Sequence, residues 1–224
     1  MDKHRGRLRA VLSCMLPLLL AGCASSGTTP LAASLQALLP DDDRVEAQAA
    51  AIPHATLSAR LGDVQGLLVM GAQAGDVSYW PSRGGGVLEL HDGGLHATAG
   101  LPEDLLGTRY GKVRHGQSQY GSSRPWRQDT PTPFTLVRHW RDDEGQVRRG
   151  EAHGELRCAG AEPVALPLGE RSLERCEAIL AWAGGETTSS TFWRDPVNRN
   201  LWAVRETPWP GAPTMQWQVA RHWW

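Results

Sequence analysis

The spacing of apolar positions changes twice along the chain. A mostly apolar run from Ala10 to Ala21, interrupted by Pro17, follows Lys3, Arg5, Arg7 and Arg9. Leu31, Leu35, Leu38 and Leu39 then recur at the spacing of one helix face. Pro40 breaks that pattern, and Asp41-Asp42-Asp43 suits the start of a second short helix through Ala51, because carboxylates favour a helix N-terminus. Beyond Ser58 the apolar runs become short, rich in Val, Trp and Thr, and cut by Gly and Pro, which is strand texture. Strands are predicted over 66–71, 76–80, 87–91 and 94–99, the last two joined by the hairpin signal Asp92-Gly93-Gly94. Leu101 to Gly107 reads as one or two helical turns with Pro at the front and Gly at the rear. The polar stretch 107–133 reads as a long loop with one edge strand. Further strands are predicted over 134–141, 146–158, 171–182, 187–195, 200–207 and 214–223, with a turn over 161–169. The fold class that follows is mainly β, an antiparallel meander forming a sandwich or pseudo-barrel, with a short N-terminal helical segment.

The basic-then-apolar start, ending in the small residues Ala21 and Gly22, has the order of a secretory signal. Its apolar run falls short of the ~20 residues that span a bilayer. Leu20-Ala21-Gly22-Cys23 looks like a bacterial lipobox, in which the cysteine thiol takes a diacylglycerol, the leader is cut before it, and the new amino group takes an acyl chain such as palmitate. Two or three acyl chains, at ~0.8 kcal/mol per buried methylene, anchor a protein to a membrane. Cys23 is therefore read as the lipidation site, and the covalent lipid is the only non-protein group expected. Ser25, in place of an Asp at the second mature position, favours the outer membrane by the same resemblance, facing the periplasm. The chain divides into a leader (1–22), a lipidated tether (23–30), a helical preface (31–57) and a β-rich periplasmic domain (58–224).

The formal charge of −1 includes four basic residues of the leader, so the remainder is mildly acidic and has no basic cluster. Nucleic acid is an unsuitable partner for such a surface. Cys14 leaves with the leader and Cys23 takes lipid. In an oxidising compartment the remaining Cys158 and Cys176 are read as one disulfide, with two buried free thiols as the alternative.

Catalytic signatures are weak. The histidines lack metal-site spacing, the run Gly84-Gly85-Gly86 lacks the order and following helix of a phosphate loop, and no serine sits in a Gly-x-Ser-x-Gly elbow. Glu103 and Asp104 are adjacent and diverge, whereas glycosidase chemistry needs carboxyls facing each other across ~5–9 Å. No catalytic residue and no metal ligand is assigned. Tryptophan is the informative residue: of ten, Trp182, Trp193, Trp202, Trp209, Trp217, Trp223 and Trp224 crowd the C-terminal end. Indole is a bulky core filler, and an exposed indole face also stacks on sugar C–H surfaces. Trp209, between Pro208 and Pro210, and the terminal pair Trp223-Trp224 are the expected exposed rings and the candidate glycan-stacking residues. If the chain handles polysaccharide, several of the C-terminal indoles are expected to form an exposed, roughly planar row.

Three segments carry a resemblance to a known family: the lipobox at Cys23; the run from Val69-Met70-Gly71 through Tyr79-Trp80 to Thr98-Ala99-Gly100-Leu101-Pro102-Glu103-Asp104-Leu105; and Thr191-Phe192-Trp193-Arg194-Asp195-Pro196 followed by Leu201-Trp202-Ala203-Val204-Arg205-Glu206. In this order they resemble the YjbF/GfcB-type group 4 capsule lipoproteins, and the Cys158/Cys176 pair also suits that pattern. The chain departs from it at 198–200 and 204–206. The resemblance implies a β-dominated periplasmic domain and a non-enzymatic accessory role in capsule or exopolysaccharide production and export, with polysaccharide or secretion proteins as partners. The alternatives are a structural envelope lipoprotein that docks another envelope protein and, third, a polysaccharide-modifying enzyme.

Overall fold

The computed structural model describes residues 42–61, 64–114, 117–121 and 124–224. The leader, Cys23, the tether and the preface up to residue 41 lie outside the described residues. A helix α1 (Asp42–Ala51) precedes the strands β1 (Thr56–Leu61), β2 (Val64–Val69), β3 (Ala72–Ala74), β4 (Val77–Pro81), β5 (Val87–His91), β6 (Gly94–Ala99) and β7 (Asp104–Arg114). After β8 (Gln117–Tyr120) come a 3-10 turn (Pro125–Arg127), β9 (Thr132–Arg141), β10 (Val147–Leu166), β11 (Gly169–Trp182), β12 (Thr187–Arg194), β13 (Leu201–Glu206) and β14 (Met215–Arg221).

Among the described residues these strands form a four-stranded meander, β3-β4-β5-β6, and a ten-stranded sheet ordered β2-β1-β14-β13-β12-β11-β10-β9-β7-β8. Every pairing is antiparallel. The large sheet is a meander from β9 to β14, extended at one side by the first two strands and at the other by β7 and β8. It is not closed into a barrel, and the architecture is sandwich-like.

Side-chain alternation explains which face each strand buries. Leu88 and Leu90 on β5, and Ala178, Leu180 and Trp182 on β11, point into one core together with Trp80, Leu136, Phe192, Val204 and Trp217. The small meander enters this core through its β5–β6 turn. Asp92 and Gly93 take positive φ angles of 54° and 80° there, as a tight two-residue hairpin requires. Gly94 is needed for a different reason: a Cβ at that position would lie 2.2 Å from the Trp126 indole. The Trp217 indole N–H donates to the Gly93 carbonyl at 3.2 Å, fastening the small meander to the large sheet.

The large sheet is strongly curled. Arg138 on β9 and Glu206 on β13 are four strand positions apart, about 19 Å in a flat sheet. They nevertheless form an ion pair at 2.6 Å with both side chains buried (0% and 1% exposed). Arg138 also donates to the Pro208 carbonyl (2.6 Å) and the Thr108 hydroxyl (3.2 Å). Burial works against the guanidinium's charge, and Glu206 outweighs it, holding Arg138 above its ordinary pKa. Burial likewise pushes the neighbouring Tyr110 phenol up, so it stays protonated.

The β10–β11 hairpin is longer than its neighbours. Past Leu156, β10 leaves β9 and pairs with β11 alone. Cys158 and Cys176 stand directly opposite each other, Cα atoms 3.8 Å apart, and are joined by a disulfide. The register shifts immediately beyond, between Cys158 and Ala161, and such bulges bend the strand that carries them. The tip then reaches across the sheet: the Arg171 guanidinium lies 3.8 Å from the centre of the Trp202 ring. Ala165, Leu166 and Pro167 share a groove of about 410 Å³ with Gln216 and Gln218 of β14. Closing a loop of this length contributes about 3 kcal/mol in the chain-entropy account.

Three expectations need correction. Residues 101–107 are not helical, because the Asp104 carboxylate accepts from the Gly100 and Leu101 amides and the Thr98 hydroxyl (3.1–3.2 Å) and sets a bend leading directly into β7. The stretch 107–133 is mostly ordered into β7, the edge strand β8 and the 3-10 turn. Residues 161–166 continue β10 instead of turning; Pro163, which lacks an N–H, is tolerated because β10 has no second partner there.

Removing one member of a buried ion pair strands the other charge at a cost of about 3–5 kcal/mol, whereas replacing both with apolar groups is far milder. Glu206→Ala is therefore expected to lose about that much stability in urea unfolding, and the double variant Arg138→Met/Glu206→Leu to recover most of it.

Candidate functional site

Four chain segments meet at one end of the molecule: the β3–β4 turn, the β5–β6 turn, the β12–β13 turn and the tail after β14. Local sequence shapes each of them. Asp195 accepts from the Val197 and Asn198 amides (2.8 and 2.9 Å), and the Asn198 side chain accepts from the Asn200 amide (2.9 Å), so Asp195 to Asn200 forms a tight polar turn with Arg199 at φ 58°.

Arginines of the 3-10 segment tie these turns together. Arg127 grips both carboxylate oxygens of Asp92 in a bidentate pair, Nε at 2.7 Å, and donates to the Asn198 carbonyl at 2.6 Å. Arg124 reaches Asp76 at 2.9 Å and Asp92 at 3.2 Å. Arg199 returns a bond to the Arg127 carbonyl at 2.7 Å and pairs with Asp129. Arg194 holds the carbonyls of Trp126 and Gln128 at 2.7 and 2.9 Å and the Glu174 carboxylate at 2.7 Å. The planar guanidinium suits such multi-point contacts better than an ammonium would.

His91 is part of this network. Arg124 donates to its Nε2 at 2.6 Å, and a guanidinium can only donate, so the imidazole is neutral with its proton on Nδ1. Burial lowers the His91 pKa, and Arg124 and His96 lower it further against the opposing pull of Asp76 and Asp92. His96 stands edge-on to it at 5.5 Å, paired with Glu89 at 2.6 Å.

The tail supplies aromatic surface. β14 ends at Arg221, so strand alternation does not govern the last two residues. Trp223 is half-buried, edge-to-face with Trp80 at 4.8 Å, and meets Trp224 at 4.5 Å. Trp224 is 42% exposed and also touches the Trp202 indole (5.3 Å) and the His222 ring (5.7 Å). Between these two indoles and Gln73, Asp76, Asp92, Arg127 and Asn200 lies a groove of about 190 Å³. An indole wall facing carboxylate, amide and guanidinium groups offers stacking on one side and hydrogen bonds on the other.

Of the candidate stacking residues, Trp223 and Trp224 reach this groove and Trp209 does not. Trp209 is 2% exposed and stacks nearly parallel on Trp140 at 5.4 Å. Arg138 bonds the Pro208 carbonyl and draws the Pro208–Pro210 segment inward, so the flanking prolines mark a core crossing. The exposed row of indoles does not form either, since Trp202, Trp209 and Trp217 are buried. Cys23 lies outside the described residues. The Asp92–Arg127 pair and its partners were not singled out from the sequence; the long polar stretch 107–133 was the one hint.

The family model for the group 4 capsule polysaccharide lipoprotein GfcB (YjbF) matches residues 32–219. The crystal structure of the hypothetical lipoprotein YmcC from Escherichia coli K12 superposes with a TM-score of 0.68 at 19% identity, over 88% of this chain and 98% of that one. No curated protein is significantly similar to the chain.

Because the His91 pKa is lowered on folding, the unfolded chain binds its proton more readily than the folded one. Stability is then fully present above pH ~6.5 and falls as pH drops below it. In His91→Gln the amide oxygen still accepts from Arg124, and thermal unfolding between pH 7 and 5 is expected to show a shallower loss than the parent.

Proposed function

The chain belongs to the group 4 capsule polysaccharide lipoprotein family, and from that premise we propose that it is an accessory factor in capsule or exopolysaccharide production and export. It acts without catalysing a reaction, anchored through lipid on Cys23 to the outer membrane and facing the periplasm, and it holds a segment of the glycan in the groove beside Trp223 and Trp224. Among the described residues no helix is long and apolar enough to cross a membrane, which is compatible with a lipid as the attachment.

The observation that carries this reading is the pairing of an exposed indole with a pre-organised polar wall. Asp92, Arg127 and Asn200 line the groove; the Asp92–Arg127 bonds fix those two side chains, and the Asn198 side chain holds the Asn200 backbone, before any ligand arrives. Little ordering cost then remains for binding. Partners in the secretion machinery, or the polysaccharide itself, are the occupants expected at this end.

Calorimetric titration of the full-length protein in detergent with fragments of the native polysaccharide tests the reading. The parent is expected to bind, and Trp224→Ala to bind at least fivefold more weakly. Absence of binding by the parent, or equal binding by the variant, would favour docking of another envelope protein.

A further inference from the structure

We propose that the cleft between the β9–β10 hairpin and the β11–β12 turn is a second saccharide site, selective for a pyranose that carries a protonated amine. The cleft encloses about 430 Å³ and shares no lining residue with the C-terminal groove. Its floor is Gly150. A Cβ there would lie 2.8 Å from the Trp182 six-membered ring and 3.1 Å from that of Trp140, so both indoles close over bare backbone.

The two indoles are held rigidly. The Trp182 N–H donates to the Thr188 hydroxyl at 3.0 Å, and the two rings meet edge-to-face at 6.4 Å. Trp209 stacks on Trp140, yet Trp140 remains partly exposed, and it lines the cleft. Trp182 is 5% exposed and backs the cleft, so the ring open to a ligand is Trp140, and an aromatic face attracts both sugar C–H groups and cations.

The polar lining sets the ligand's charge. Two carboxylates, Glu151 and Glu186, stand there against one guanidinium, Arg149, with His153 beside them. Glu151 is already engaged: it accepts from the Tyr120 hydroxyl at 2.5 Å and from Arg149 at 3.4 Å, and the Tyr120 bond leads in holding its carboxyl below the usual range. Glu186 forms no ion pair among the described residues and lies against Gly184, where a Cβ would come within 2.3 Å of its carboxylate. It is the group left to receive an ammonium, while a uronate would meet like charge. The choice of a saccharide over other cationic ligands rests on the function proposed above.

Saturation-transfer NMR on the full chain in detergent micelles, with glucosamine, glucose and glucuronate as separate probes, decides the matter. Affinity is expected to fall in that order. Glu186→Gln, an exposed substitution, should weaken glucosamine about threefold and leave glucose unchanged, and the same difference should persist when Glu186→Gln is compared with the parent residue in a Trp224→Ala background. The proposal is overturned if no probe is saturated, if glucuronate binds as well as glucosamine, or if Glu186→Gln has no effect. Disappearance of the Glu186→Gln effect in the Trp224→Ala background would assign the sugar to the C-terminal groove and equally overturn it.

Discussion

Arg138 and Glu206 can meet only because the ten-stranded sheet curls back on itself. Two strands that a flat sheet would hold far apart are joined at 2.6 Å, so the ten-stranded sheet has to curl, and the curl creates the interior that the four-stranded meander enters. Placing two charges there is costly, and the geometry compensates with bonds to Thr108 and to the Pro208 carbonyl. The second of these carries Trp209 into the core against Trp140, which supports the aromatic cleft at Gly150. The groups around this ion pair thereby report the curvature of the sheet and hold the segment that carries Trp209.

The opposite end follows a different logic. Turns supply most of the C-terminal groove, with Gln73 of β3 and Leu201 of β13 at its margins, and Arg124, Arg127, Arg194 and Arg199 bond carboxylates and main-chain carbonyls across those turns. Turns are where sequence changes with least damage to a fold. The superposition on a lipoprotein only 19% identical fits a conserved sheet architecture of this kind. Specificity for a particular glycan would then be written in turn residues such as Asn200 and Asp76, and the sheet would serve as their frame.

Strands with strong local signals were legible in the sequence. Residues 87–91 and 94–99 appear as β5 and β6 over the expected ranges, because alternating leucines and the Asp92-Gly93 turn are local features. The meander from β9 to β14 and the opposed cysteines were legible for the same reason. What escaped was set by distant partners. The run 101–107 has the proline and glycine of a short helix, but one carboxylate, Asp104, bends it by satisfying three donors. Trp209 has the look of an exposed ring between its prolines, and the reason it is buried is a guanidinium 70 residues before Pro208. The groove's Asp92–Arg127 pair spans 35 residues and leaves no periodic trace.

The proposed glycan contact at the terminal indoles, and not at the buried ones, is open to one direct measurement. The tryptophans are labelled with ¹⁵N and their indole N–H signals followed during titration with fragments of the native polysaccharide. Shifts are expected at Trp223 and Trp224, with Trp209 and Trp217 unmoved. Unchanged Trp223 and Trp224 signals while the polysaccharide binds would refute the proposal.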